Sequence, residues 1–482
     1  MKPLIVLMTS FLTLMAIVGT GHADPRNGAI PRACKGAGRL KQVMQDRIGG
    51  VPTEILDKQS LAEVKAPPMA EAVAMAFEEA EKAARPLIDR DFHKGTTITV
   101  PGKRFKTIQA AIDASESGDV VMVKPGTYYE LIVMKDGVKL VSDSGDGGDE
   151  LVSVDNALMK LPRRTLRTTI DGSKSEPSHR GMIDFNPGVG RHTIVDGFTL
   201  QHLPKQDHHR PGHAHAINVR GASPIIMNCY VRKNGSTGIG NHVVYNDQDS
   251  PVPERDFRWA NVEHWVEPVI YRNVICENLG LGVGNNHFSR AYVLGNEVFG
   301  NSDAKLGQQP SPGMGAKHGA AAVIMGNIVH DNPGGGILSK TGKPQGRHPI
   351  DRPTHPTIVR NVVYRNGHTN PQIACNGGGS QAAPVCFVRN FVYNAGAVGI
   401  ALRNGAVGIL EKNLVSGSEA PGIAINGAKA LKLNHNKVTG ANAPGFVIKA
   451  GSKVLEMVGN AADSNLGPRF MLRDATIVPP GG

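Results

Sequence analysis

Cysteine is scarce in this chain. Its 482 residues hold five, Cys34, Cys229, Cys276, Cys375 and Cys386, too few for a disulfide scaffold. No two have the CxxC spacing of a thiolate metal site. The odd count leaves at least one thiol unpaired within a monomer. Cys375 and Cys386 flank the glycine-rich NGGGSQAAPV and are expected to close that loop in an oxidising compartment. Long apolar runs are missing beyond the first residues. Spanning a bilayer takes ~20 apolar residues, so no stable membrane insertion is expected. Nucleic-acid-binding motifs are missing too.

What is present begins with MKPLIVLMTSFLTLMAIVGTGHA: one lysine, an apolar run from Pro3 to about Val18, and the small-residue ending Gly21-His22-Ala23. This is the pattern of a secretory signal cut after Ala23, and the run is short for an anchor. No cysteine follows the cut to carry a lipid. Export to the periplasm or the medium is therefore expected. The formal charge of +11 becomes +10 once Lys2 is lost with the leader. A basic exported protein without a nucleic-acid motif is expected to meet a polyanionic glycan.

A repeat runs through the rest. His264, Asn273 and Asn278 share their spacing with His287, Asn296 and Asn301 and with His318, Asn327 and Asn332. Aligned on the middle position, the register extends gaplessly to seven anchors: Cys229, Asn273, Asn296, Asn327, Asn361, Asn390 and Asn413. Two residues after each anchor stands a valine or isoleucine, and three before it another large apolar residue, from Ile226 and Val231 to Leu410 and Val415. The anchors lie 44, 23, 31, 34, 29 and 23 residues apart. A 23-residue step is too short for a strand-helix-strand unit. It suits one coil of a solenoid that buries its apolar columns by stacking on the next. The asparagines are read as structural, bonding amide to amide from coil to coil.

The segment FKTIQAAIDASESGDVVMVKPGTYYE, Phe105 to Glu130, resembles the first coils of the pectin-lyase-like right-handed parallel β-helix superfamily, and of pectin methylesterases within it. The N-x-V-x-x-N coils and IVDGFTLQH (194–202) extend the resemblance over about 98–460. It implies an all-β fold, a right-handed parallel β-helix solenoid with an N-terminal helical segment. The esterase motifs, the aspartate-rich polygalacturonase pattern and the Asp-Pro-His-Asp motif of alginate epimerases are not matched. The expected organisation is a signal peptide (1–23), an N-terminal segment (24–97), the β-helix (98–460) and a tail (461–482). In the N-terminal segment, residues 67–86 read as an amphipathic helix with Met69, Val73, Ala76, Phe77 and Ala80 on one face. The helix is expected to pack near the open N-terminal end of the solenoid.

Coil length in excess of 23 residues falls mostly before an apolar strand, so the insertions are expected to wall a groove on one side. Nine residues before the anchors the column reads Arg220, His264, His287, His318, Arg352, Gln381 and Asn404, with Lys317 beside it. Steps of ~4.8 Å per coil would make this a cationic row for carboxylated sugars, a metal-sharing set of imidazoles, or a ladder of stacked rings. His208, His209, His213 and His215 form a separate candidate metal cluster. Asp247 and Asp249 in NDQD offer oxygens for calcium.

The leading expectation is a carbohydrate-active protein working on a uronate-containing polysaccharide as a lyase or C5-epimerase. Arg220 and Arg352 would neutralise the carboxylate, and a histidine or Lys317 would take the C5 proton. Hydrolysis would need two placed carboxylates, and no such pair stands out. The chain also resembles copper-maturation β-helix proteins, which implies a periplasmic metal-handling role as the alternative. A non-catalytic glycan-binding solenoid is the third reading.

Overall fold

Each copy of the repeat folds into three short strands, as in Ile225–Met227, Tyr230–Arg232 and Ile239–His242. Every one pairs in parallel with its counterpart in the next coil. The structure, a computed structural model, describes residues 53–89, 95–177, 180–205, 215–242, 266–302, 310–341, 353–449 and 451–478. Among these, the coils stack into a first sheet of 15 strands and second and third sheets of 12 strands each. The insertion after the third coil forms the one antiparallel pair among the described strands, Leu151–Ser153 with Lys160–Pro162.

Strands of two to six residues persist here because each turn has its own chemistry. The residue before each anchor asparagine sits in the left-handed region, as with Arg272 at φ 53° and Arg360 at φ 53°, and sharply corners the chain from the first sheet into the second. One side of each strand then faces inward. Ile226, Ile270, Val293, Ile324 and Ile358 form one core column, and Val231, Ile275, Val298, Val329 and Val363 another, all fully buried. Each buried aliphatic side chain is worth about 1.5–3 kcal/mol over an exposed one, and it gains this only against neighbouring coils.

The asparagines do what their spacing implies. Asn273 Nδ2 donates to Asn296 Oδ1 at 2.9 Å, and the chain of amides continues through Asn327, Asn361, Asn390, Asn413 and Asn436 to Asn460. A second ladder links Asn234, Asn278, Asn301, Asn332 and Asn366 and ends on Gln372 Oε1. Each amide also takes carbonyls of its own or the preceding coil, so buried polar groups at both corners are satisfied.

Three expectations are corrected. Helix α2 (Met69–Ile88) does not sit at the N-terminal end. It follows α1 (Thr53–Leu56) and lies along the corner between the first and second sheets, where Ala76 and Ala80 press on the side-chain-free Gly326 and Gly295. The N-terminal end is closed by α3 (Ile108–Ala114), whose Ile108, Ala111 and Ile112 join the core. The opposite end is closed by residues 55–60: Ser60 bridges to Ala461, and Gln59 Oε1 accepts from Asn460 N and Nδ2 at 3.1 and 3.0 Å. The expected tail is a last coil, since Ala461–Asp463, Phe470–Leu472 and Thr476–Ile477 extend all three sheets. Cys375 and Cys386 are both free. Cys375 points into the core from the third sheet, whereas Cys386 lies between the core residues Val385 and Phe387 of the first sheet and so points outward.

Candidate functional site: the outer face of the third sheet

The strands of the third sheet follow one rule. A small residue, usually glycine, precedes an apolar residue that points inward, and the fourth residue of the strand register points out: Ala216-Ile217 leads to Arg220, Gly313-Met314 to Lys317, Gly336-Ile337 to Lys340, Gly399-Ile400 to Arg403. The glycine is needed because the corner is tight. A Cβ at Gly336 would meet the Gln372 carbonyl at 2.4 Å and Val363 Cγ1 at 2.5 Å. Alternation then sends positions one and three into the core and two and four to the surface.

Two files result on the outer face. The central file reads Val133, Asp184, Asn218, Gly240, Gly284, Gly315, Leu338, Ala374, Ala401, Ala424, Val447 and Met471. The flanking file reads Arg220, His242, Asn286, Lys317, Lys340, Asn376 and Arg403, then Asn426, Lys449 and Arg473. The flanking file holds seven cationic or titratable side chains and no acid, all at least partly exposed. The glycine floor is filled from its sides. The His215 ring occupies the place of a Gly240 Cβ, while Leu281 and the Lys317 stem lie over Gly315. Over Gly284 the nearest atoms to a Cβ position are Asn286 Nδ2 at 3.4 Å and Thr237 Cγ2 at 3.8 Å. Among the described residues that leaves a recess between His215 and Lys317.

The imidazoles form a continuous file along this face. His215 and His242 are 6.3 Å apart edge to face, His242 and His287 6.5 Å, and His287 and His318 stack at 4.8 Å with an interplanar angle of 13°. The contact of His287 with His242, and the stacking of His318 on His287, put both on the outer side of the sheet, while the adjacent Phe288 enters the core. Both histidines occupy left-handed turn positions, φ 42° and 54°. Parallel stacked rings point their nitrogen lone pairs side by side and do not converge on one ion.

The expected column is thus corrected by one register position. Arg220 is the last residue of its strand and aligns with His242 and Lys317, whereas His287 and His318 stand one residue further on, in the turn. Asn404 shares the turn position, and Gln381 lies in a loop accepting from Lys429 Nζ at 3.0 Å. The cationic row exists, but Lys340, Arg403, Lys449 and Arg473 continue it instead of Arg352. His264 and Arg352 lie outside the described residues, as do His208, His209 and His213 of the loop cluster and Asp247 and Asp249 of the calcium reading. Among the described residues no group of three or more His, Cys, Asp or Glu is placed to hold a metal ion. No helix among them is long and apolar enough to cross a membrane.

Charge states on this face are shifted by burial. Desolvation, reinforced by the like charge of Lys340, moves Lys317 down from the ordinary lysine range. Burial alone lowers Arg403. Asp184, the one acid of the two files, moves up: burial outweighs hydrogen bonds from Gly181 N at 3.2 Å and Asn218 Nδ2 at 3.0 Å and the nearby Arg220 and Arg180. Sequence reasoning passed over Asp184 because its coil precedes the first asparagine anchor. The alternation in Met182-Ile183-Asp184-Phe185, with the aspartate alone facing out, was the available signal.

Comparison with known proteins agrees on the fold. Residues 350–472 match a family described as right handed beta helix region, and residues 93–252 match one described as a protein of unknown function, DUF1565. No curated protein matches the chain. Among solved structures, the A-module of the mannuronan C-5 epimerase AlgE4 from Azotobacter vinelandii is 14% identical with a TM-score of 0.39, covering 77% of this chain and 95% of that one. The catalytic unit of a GH87 alpha-1,3-glucanase from Streptomyces thermodiastaticus is 12% identical with a TM-score of 0.43, covering 77% and 67%. The tailspike protein gp49 of the Acinetobacter baumannii bacteriophage Fri1, a capsular polysaccharide depolymerase, is 11% identical with a TM-score of 0.39, covering 80% and 62%. Matches at this level carry nothing about the chemistry of this chain.

Proposed function

We propose that this right-handed parallel β-helix protein is exported, lays an acidic, uronate-containing polysaccharide along the outer face of the third sheet, and acts on it as a lyase or C5-epimerase. The observation that carries the reading is the flanking file from Arg220 to Arg473. One surface cation is ordinary. A row of them repeating at ~4.8 Å per coil, beside a floor kept low by glycine and alanine, matches a chain whose negative charges also repeat.

Both reactions start by removing the proton from C5, which is acidified when the adjacent carboxylate is neutralised. Lys340, one coil from Lys317, supplies the positive charge, and Arg403, three coils along, holds a carboxylate further down the polymer. Lys317, at the recess over Gly284, is the base, because burial favours its neutral amine. The amine takes the proton, and the C5–H electron pair delocalises into the carboxylate. In elimination that pair returns to form the C4–C5 double bond as the C4–O4 bond breaks, and the departing oxygen takes a proton from water. In epimerisation a proton from solvent is instead added to the opposite face of C5, and the one taken by Lys317 is released to water.

The test is to incubate the exported protein with mannuronate, guluronate, galacturonate and glucuronate polymers in D2O. Elimination gives an unsaturated product absorbing near roughly 235 nm, and epimerisation gives deuterium at C5, both consequences of the same proton abstraction. Absence of both on all four polymers rejects the reading. Stoichiometric metal in the purified protein together with that absence would favour the metal-handling alternative.

A further inference from the structure

The central file changes character along its length. After Val133 come Asp184 and Asn218, neighbours in register, and every later member is apolar. Asn218 is fully buried. Its amide nitrogen donates to Asp184 Oδ1 at 3.0 Å, which fixes the amide and leaves Asn218 Oδ1 as a buried acceptor with no hydrogen-bond partner among the described residues. An unmet buried acceptor costs about 1–3 kcal/mol, so its persistence calls for a donor from outside. Asp184 is mostly covered, with its second oxygen 3.6 Å from Arg180 Nε. Lys317 stands four coils from Asp184 and three from Asn218, roughly 19 and 14 Å at the spacing of sheet strands, too far to share a sugar ring with this pair.

We propose that Asp184 and Asn218 form a hydroxyl-reading subsite for a sugar unit remote from the reacting one, with Asn218 Oδ1 accepting from one hydroxyl and the Asp184 carboxyl bonding its neighbour. The inference rests on the polysaccharide reading of the same face. It adds a division of labour: the flanking file reads carboxylates, and this pair reads hydroxyls regardless of the carboxylate.

The experiment uses two probes, a mannuronate hexamer and its carboxyl-reduced mannose hexamer, titrated calorimetrically into the full exported chain and into D184A, D184N, N218S and K340A. The subsite predicts that D184A and N218S weaken both hexamers by a similar factor, about tenfold for one or two lost hydrogen bonds, and that K340A weakens only the charged one. D184N keeps the shape of the side chain and guards against misfolding; it should retain the melting temperature and weaken both hexamers as well. Native-like affinity of D184N and N218S for both probes overturns the subsite while leaving the polysaccharide reading standing. Binding of the neutral hexamer alone, lost in N218S, supports the subsite and overturns the acidic substrate. Binding of neither hexamer overturns both.

Discussion

Lys317→Met should reduce turnover on a uronate polymer by about 10²–10⁴-fold, the usual contribution of a general base, with substrate binding changed far less. The Lys317 stem already lies over Gly315, and a methionine keeps that packing, so the fold should hold. Removing a buried ammonium that burial and Lys340 both disfavour should leave the melting temperature unchanged or raise it. The pH profile gives an independent check. A lysine whose pKa is lowered below the ordinary range is neutral over a wider span, so the native rate should climb with pH through that lowered value and level off below the usual lysine range. The climb should vanish in the variant. Initial rates from the absorbance of the unsaturated product, read across pH for both proteins, measure this. A variant that keeps both rate and profile would place the base elsewhere, first among His242, His287 and His318.

Asn327→Leu should be among the most damaging single changes to the scaffold. Asn327 Oδ1 accepts from Asn296 N and Nδ2 at 2.9 and 3.0 Å, and its Nδ2 donates to Val293 O and Asn361 Oδ1 at 2.9 and 3.0 Å. A leucine fills the volume but strands donors and acceptors in two neighbouring coils. At about 1–3 kcal/mol for each buried group left unmet, a loss of roughly 3 kcal/mol or more is expected. Because each coil stacks only on its neighbours, the damage should spread outward from the coil of Asn327 and lower amide protection there first. Asn442→Ala, at an exposed turn where the side chain bonds Glu419, should change stability by no more than ~0.5 kcal/mol. Thermal unfolding with hydrogen exchange on the three proteins measures both. Equal melting temperatures for native and Asn327→Leu would show that the ladder is dispensable.

The scaffold was legible because its determinants are local and periodic. An asparagine can satisfy a corner only at a fixed distance from the apolar residues around it, so each interval between asparagine anchors reappears as an amide-to-amide bond between coils, and the first, from Cys229 to Asn273, as a bond from the Cys229 backbone N–H to Asn273 Oδ1. The candidate site was legible as residue types but not as geometry. Counting back nine residues from the anchor crosses the turn between the third and first sheets, and that turn does not have one length. In the Arg220 coil the count lands on the strand, in the His287 and His318 coils on the turn, and a shift of one residue exchanges which side chain faces out. Counting forward from the small residue that precedes each strand of the third sheet stays within the strand and finds Lys340, Arg403 and Lys449 directly. The placement of α2 was missed for a different reason. Its apolar face is visible in sequence, but the complementary groove is made by two missing side chains, Gly295 and Gly326, in coils more than 200 residues away.

The claim on which the rest depends is that a polyanion lies along the flanking file. The most direct measurement is the affinity of a uronate polymer for native protein and for the double variant Lys340→Glu with Arg403→Glu, at low and high salt. Both side chains reach solvent from the outer face, so the fold should tolerate the exchange. The account predicts that native affinity falls steeply as salt screens the row, that the double variant binds at least about tenfold more weakly at low salt, a difference of ~1.4 kcal/mol, and that the two converge at high salt. Equal affinity of the two proteins at low salt, or native binding indifferent to salt, would contradict it.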